Sequence, residues 1–324
     1  MTVLDAAPRA TGRAPSPQAP AAVVMVRPHR FVPNPQTAAD NAYQLDPGAL
    51  PDDASALTAL SARAHAEVTA VARRLRAVGV RVHLVEDVGD EHPDSVFPNN
   101  WLSTHPDGRV VTWPMHSPNR RGERREDVLD LLRASYVVDE VVDLSPLAEQ
   151  GVHLEGTGAL VLDHVRRVAY VALSRRADAD LAARACADLG HDLEAFVATD
   201  AAGEPIYHTN VMATVGTGFS MVCLEAVEDP ERRRQLEGRL TEGGRDLVRL
   251  TRAQVADFAG NALELTGRDG PVLAISARGW RSLRPDQRAV VTRHARPLPL
   301  AVPTLELAGG SVRCTLAGVH LRHR

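Results

Sequence analysis

Residues 158–199, GALVLDHVRRVAYVALSRRADADLAARACADLGHDLEAFVAT, hold one complete structural unit. GALVLD (158–163) and VAYVAL (168–173) are apolar β-rich runs flanking a short turn. DADLAARACADLG (178–190) has helical spacing and ends at Gly190, and LEAFVAT (193–199) is again strand-like. A hairpin, a helix and a further strand thus follow one another. The next copy begins at once: NVMATVGTGFSMVCLEAV (210–227) forms a hairpin around Gly216 and Gly218. DPERRRQLEGRLTEGG (229–244) is a helix with Pro230 in its first turn and glycines at its end, and DLVRLT (246–251) is a strand.

Two more copies flank these. WLSTHPDGRVVTWPM (101–115), NRRGERREDVLDLLRA (119–134) and YVVDEVVDL (136–144) precede them. NALELTGRDGPVLAISARGW (261–280), SLRPDQRAVVTRHA (282–295) and PLPLAVPTLEL (297–307) follow. The period is roughly fifty residues, within the range of repeat architectures. At the N-terminal side AAVVMVRP (21–28), a long helix over 55–79 and VRVHLVED (80–87) lack a local hairpin partner. GGSVRCTLAGVHL (309–321) supplies it. The predicted fold is therefore α/β: five pseudo-symmetric hairpin-helix-strand units closed into a ring by pairing of the first and last strands, which removes exposed sheet edges.

Composition restricts the function. The 324 residues are 44% hydrophobic and 24% charged with a net charge of −4, an ordinary globular balance with no basic stripe for nucleic acid or an anionic membrane. No run reaches the roughly 18 apolar residues of a membrane span, so a cytoplasmic protein is expected. The Ala/Pro-rich residues 1–22 read as a disordered tail, leaving 23–324 as one catalytic domain. The chain has no lysine, which excludes Schiff-base chemistry and a P-loop. Cys186, Cys223 and Cys314 have no metal-ligand spacing and cannot all pair, so at least one is a free thiol. No metal and no organic cofactor are expected.

In a ring of equivalent units, the loops entering the hairpins converge near the axis. At that position stand Asp94 (HPDSVFPNN), Glu155 (HLEGTG), His208 (PIYHTN), Asn261 (FAGN) and Cys314 (GGSVRC). Each alone reads as a turn, surface or packing residue. Together a thiol, an imidazole and two carboxylates form the set that nucleophilic catalysis requires: a thiolate to attack, a histidine to move the proton, a carboxylate to orient it and another to grip substrate N–H groups. EGTGAL and VGTGFS look like dinucleotide-binding fragments but sit at hairpins, so their glycines read as turn residues.

With these residues assembled, the chain resembles the guanidine-modifying, or pentein, superfamily. Within it, DSVFPNNW, SPNRRGERR, LEGTG, YHTNVM, GNALEL and GGSVRCTLAGVHL resemble the citrulline-utilisation, amidinotransferase-like branch. The resemblance implies a five-bladed α/β propeller with Cys314 as nucleophile, His208 as general acid and base, Glu155 as its orienting partner and Asp94 as a substrate carboxylate. Arginine deiminases and amidinotransferases carry an acid two residues after the histidine, where this chain has Asn210. A neutral amide suits a ureido group, which both donates and accepts. Asn99 and Asn100 fit the same neutral head or serve as turn residues; Arg120 and Arg121 fit an amino-acid carboxylate or a solvated helix start.

The expected activity is hydrolysis of the citrulline ureido group to ornithine, carbon dioxide and ammonia. The alternatives are an arginine deiminase or dimethylarginine hydrolase, an amidinotransferase, and a non-catalytic binding protein. The partner is a ureido or guanidino amino acid, with homo-oligomerisation left open.

Overall fold

The structure, a computed structural model, describes residues 16–50, 53–87 and 89–324. Its strands are β1 (Ala22–Arg27), β2 (Arg81–Glu86), β3 (Leu102–Thr104), β4 (Arg109–Thr112), β5 (Glu140–Asp143), β6 (Val161–Asp163), β7 (Val168–Ala172), β8 (Asp192–Phe196), β9 (Ala213–Val215), β10 (Phe219–Val222), β11 (Asp246–Arg249), β12 (Leu263–Gly267), β13 (Gly270–Ser276), β14 (Arg296–Leu300) and β15 (Ala317–Val319). They form five separate three-stranded sheets, β15-β1-β2, β3-β4-β5, β6-β7-β8, β9-β10-β11 and β12-β13-β14. Every sheet has the same plan: an antiparallel pair and, beyond a helical crossover, a third strand parallel to the middle one.

The middle strands are apolar because both faces are covered. All five residues of β7, VAYVA, are buried. The crossover helix Ala179–Asp188 starts on Asp178, whose carboxylate accepts from Leu181 N, and packs Leu181, Ala182, Ala185 and Cys186 inward. The longest helix, Ala54–Ala77, is capped by Asp53 and buries Leu60, Ala64, Val68, Val71, Ala72 and Leu75, the 3.6-residue stripe that seats it on β1 and β2. Among the described residues no helix is long and apolar enough to cross a membrane.

The chain's two ends meet as the sequence predicts. β15 pairs antiparallel with β1, Ala22 opposite Val319 and Val24 opposite Ala317. Two expectations need correction. Cys314 is not on this strand but in the 3-10 turn Val312–Thr315 that precedes it. Of the tail expected over 1–22, residues 1–15 lie outside the described residues, whereas Gln18, Ala19 and Pro20 are buried. The Gln18 side chain donates to the Leu162 and Val215 carbonyls at 2.9 and 3.0 Å and accepts from His164 N at 2.8 Å, tying two sheets to the segment before β1.

Candidate active site

A short helical turn stands before most hairpins, and these turns carry the site. Pro98–Asn100 precedes β3, Gly156–Ala159 precedes β6, Thr209–Met212 precedes β9 and Val312–Thr315 precedes β15. Glu155 and His208 occupy the positions just before their turns. Glu155 and His208 are thus equivalent, whereas Asp94 stands four residues before its turn and Cys314 lies within its own.

Asp94, Asn100, Arg120, His208 and Cys314 line a single small cavity. Asn210 and Asn261 stand behind the thiol. The Asn261 side-chain amide donates to Cys314 Sγ at 3.2 Å, and that of Asn210 approaches it at 3.6 Å. The Asn261 side-chain oxygen Oδ1 accepts from the backbone N–H groups of Arg313 and Cys314 at 3.0 and 3.4 Å, fixing the turn. Amide N–H groups aimed at sulfur stabilise negative charge that builds there.

His208 lies on Glu155, with Nε2 and Oε2 2.8 Å apart. The other Glu155 oxygen accepts from His116 N at 2.9 Å, and Arg120 and Arg176 stand 3.7 Å from Oε2. Burial opposes the Glu155 charge, but Arg176, His208 and Arg120 together hold its carboxyl below the usual range. For His208 burial prevails over Glu155, so its pKa falls below the ordinary imidazole value and the ring is neutral at neutral pH. Burial also raises the Asp94 carboxyl, against Arg120 and the Asn34 amide that donates to Oδ2 at 2.8 Å. Asp94 Oδ1 has no partner among the described residues and is available to a ligand N–H.

The glycines of EGTG have a more specific role than turn formation. Gly156 adopts φ +43°, and a Cβ at Gly158 would lie 2.4 Å from Asn100 Nδ2 and 2.8 Å from His208 Nδ1. Only glycine lets the imidazole and Asn100 meet there. Gly216 lies in the β9–β10 hairpin as expected.

Three expected binding residues are placed otherwise. Arg121 points away from the cavity, pairs with Glu149 at 2.9 Å and lines a separate surface pocket with Trp101 and Arg124. Arg120 is in the cavity wall, but its two-pronged edge is taken by Glu123 at 2.8 and 2.9 Å and its Nη1 by Asn100 Oδ1 at 3.1 Å. It is therefore a buried organiser of Asp94, Glu155 and Asn100, with no free edge for a substrate carboxylate. Asn99 is fully buried and does not line the cavity; its backbone carbonyl accepts from Thr157 Oγ1 at 3.2 Å.

Several lining residues escaped the sequence reading. Arg176 is buried, donates to Asp40 through Nε at 3.0 Å and through Nη2, and stacks over Tyr207 at 4.8 Å. Tyr207 donates to the Gly309 carbonyl at 2.6 Å, and its ring lies 4.7 Å from that of His208. Thr37 and Asn41 come from the connection between β1 and the first long helix. Two signals were available: Arg176 follows β7 as Arg120 follows β4, and a connection this long and rich in Asn, Thr and Asp is a common site of function. Among the described residues no cluster of three or more His, Cys, Asp or Glu could hold a metal ion.

Comparison with known proteins fits this geometry. The family described as N,N dimethylarginine dimethylhydrolase, eukaryotic, matches residues 27–321. No curated protein matches the sequence. The N-terminal domain of ArgZ, an arginine dihydrolase from the ornithine-ammonia cycle in cyanobacteria, superposes with a TM-score of 0.70 at 16% identity, covering 92% of this chain and 97% of that one. AgrE gives 0.71 at 17% identity, with 94% of this chain covered but only 40% of AgrE. A dimethylarginine dimethylaminohydrolase bound to S-methyl-L-thiocitrulline gives 0.62 at 14% identity, covering 92% and 98%. The five-sheet plan is shared with these structures, and the chain belongs to the dimethylarginine dimethylhydrolase-like family of the pentein superfamily of guanidine-modifying enzymes.

Proposed function

We propose that the protein is a C–N hydrolase that removes the ureido group of citrulline through a covalent intermediate on Cys314. Neutral His208 takes the Cys314 proton as Sγ attacks the ureido carbon, and delivers it to the departing amine, releasing ornithine. An S-carbamoyl cysteine remains. Water, deprotonated by His208, then displaces the thiol, which takes the proton back, and the carbamate breaks down to carbon dioxide and ammonia. Glu155 holds the imidazole throughout, and the free Asp94 Oδ1 accepts from the ureido N–H groups. The α-carboxylate lies toward Arg175, which is exposed in an adjoining cavity that shares Asn41 and Tyr207 with the site. We take the five sheets to be blades around one axis, a reading supported by the contacts of β15 with β3, β6 with β9 and β9 with β12. Three free cysteines are consistent with a cytoplasmic protein.

The observation that carries the ureido reading is Asn210 beside the thiol. The cavity wall holds two guanidinium groups, Arg120 and Arg176, and one carboxylate, Asp94, while amides flank the sulfur. A neutral head that donates and accepts is better matched to this wall than a third guanidinium. The second reading, hydrolysis of a guanidino group, is favoured by the family match and by neighbours named for arginine and dimethylarginine chemistry. Incubation with citrulline, arginine, methylated arginines and agmatine, read by mass spectrometry, decides between them. Ornithine from citrulline with a carbamoyl adduct on the Cys314 peptide is expected; turnover of a guanidino substrate with citrulline inert overturns the proposal.

A further inference from the structure

The turn that carries Cys314 has a second polar face. Arg313, the preceding residue, lines a different small cavity together with Gln18, Ser103, Thr157, His164 and His320, and no residue of this wall belongs to the cavity around Cys314. The buried arginines Arg120, Arg176 and Arg245 each have a carboxylate within 4.0 Å: Glu123, Asp40 and Asp163. Arg313, half-buried, has none among the described residues, and the one hydrogen bond of its guanidinium runs from Nη1 to the Leu316 carbonyl at 3.1 Å. A half-buried guanidinium that faces a cavity without a carboxylate keeps N–H groups free for an anion.

The neighbours of Arg313 are donors. The His164 and His320 rings stack with centroids 4.1 Å apart. Burial, then His105 and Arg313, push His320 down to about 3, so its ring is neutral. His164, also held well below the imidazole range by burial and by His320, has no ring hydrogen bond among the described residues. Its backbone is fixed by the Gln18 side chain, whose amide is fully engaged with Leu162, Val215 and His164. The cavity wall therefore has one full positive charge, free N–H capacity on Arg313 and His164, and no carboxylate. The guanidinium disfavours a metal cation despite the imidazoles.

We propose that this cavity is a binding site for a small monovalent inorganic anion of the halide or bicarbonate kind, with Arg313 as the charged anchor and His164 as a neutral donor. One anion balances one guanidinium, which a divalent sulfate or phosphate does not. The inference is independent of which substrate Cys314 attacks, because it rests on the opposite face of the turn.

Bromide is the probe. In crystals of the full chain soaked in bromide, an anomalous peak is expected within hydrogen-bond distance of the Arg313 guanidinium. In solution, bromide at constant ionic strength is expected to raise Tm along a saturating curve, as a ligand of the native state does. Bicarbonate is expected to shift that curve by competition. Arg313→Gln removes the saturable response, and His164→Phe weakens bromide affinity roughly tenfold, the loss of one donor to an anion. Should Arg313→Gln fail to fold, the wild-type anomalous map and the His164→Phe titration carry the test. The proposal is overturned by a map with no bromide at Arg313, or by responses to bromide that are linear and equal in the wild type and both variants.

Discussion

Three cysteines lie in the interior of this protein, in two kinds of surroundings. Cys186, on the helix Ala179–Asp188, and Cys223, after β10, are packed among aliphatic side chains, and burial pushes their thiols up to about 12 and about 11. Cys314 is just as hidden, at 3% exposure, but side-chain amides of Asn261 and Asn210 point at its sulfur and His208 shares its cavity. Burial by itself makes a thiol inert; burial combined with N–H donors and a neutral base makes a nucleophile.

The largest test of that contrast is selective. Iodoacetamide on the native protein is expected to alkylate Cys314 alone, identified by peptide mass. Cys314→Ser is expected to lower turnover at least about 10³-fold, as loss of a covalent nucleophile does, while leaving the thermal transition in place. Equal alkylation of Cys223 would erase the distinction between the two environments.

Next in size is the support of His208. Glu155→Gln keeps the shape but removes the charge that orients the imidazole and opposes the effect of burial on it. A fall in kcat of roughly 10²- to 10⁴-fold is expected, by analogy with other histidine–carboxylate pairs. The pH profile separates this role from a structural one. In the proposed mechanism His208 acts as the neutral base, and its pKa is lowered, so kcat/KM of the wild type should be lost only as pH falls below the ordinary imidazole value of 6.5. Without the Glu155 charge, that acid limb moves lower still. A limb at or above 6.5 in the wild type contradicts the assignment.

Asn210→Asp probes the amide beside the sulfur. A carboxylate there suits a guanidinium and not a ureido head, so the ratio of guanidino to ureido turnover is expected to rise about tenfold, measured as kcat/KM on arginine and citrulline. An unchanged ratio removes Asn210 from the specificity argument.

Much of this was legible in the sequence because the repeat is local. Each hairpin, helix and strand is written in apolar period and turn residues, and aligning the units sets Asp94, Glu155, His208, Asn261 and Cys314 near the entries to their hairpins. Roles that depend on which partner a long side chain chooses were not legible. SPNRRGERR shows two adjacent arginines, but only the turn Pro118–Glu123 decides that Arg120 folds back on Glu123 while Arg121 reaches Glu149. Likewise PSPQAP has the composition of a tail, and nothing local in it shows that Gln18 inserts between β6 and β9.

The smallest expected effect completes the contrast between the cysteines. Cys223 has no exposed surface and packs in the cluster with Met212, Met221 and Leu224, so Cys223→Ala removes one sulfur's worth of contacts and leaves a small void. The cost expected is about 1 kcal/mol, a lowered Tm with kcat within about twofold of the wild type. Cys186→Ala, in a different cluster, should behave alike, and because the two sites share no neighbours the double variant should show the sum of the two losses. If either alanine lowers kcat by more than its effect on Tm explains, that thiol is linked to the site after all, and packing alone is not a sufficient account of its surroundings.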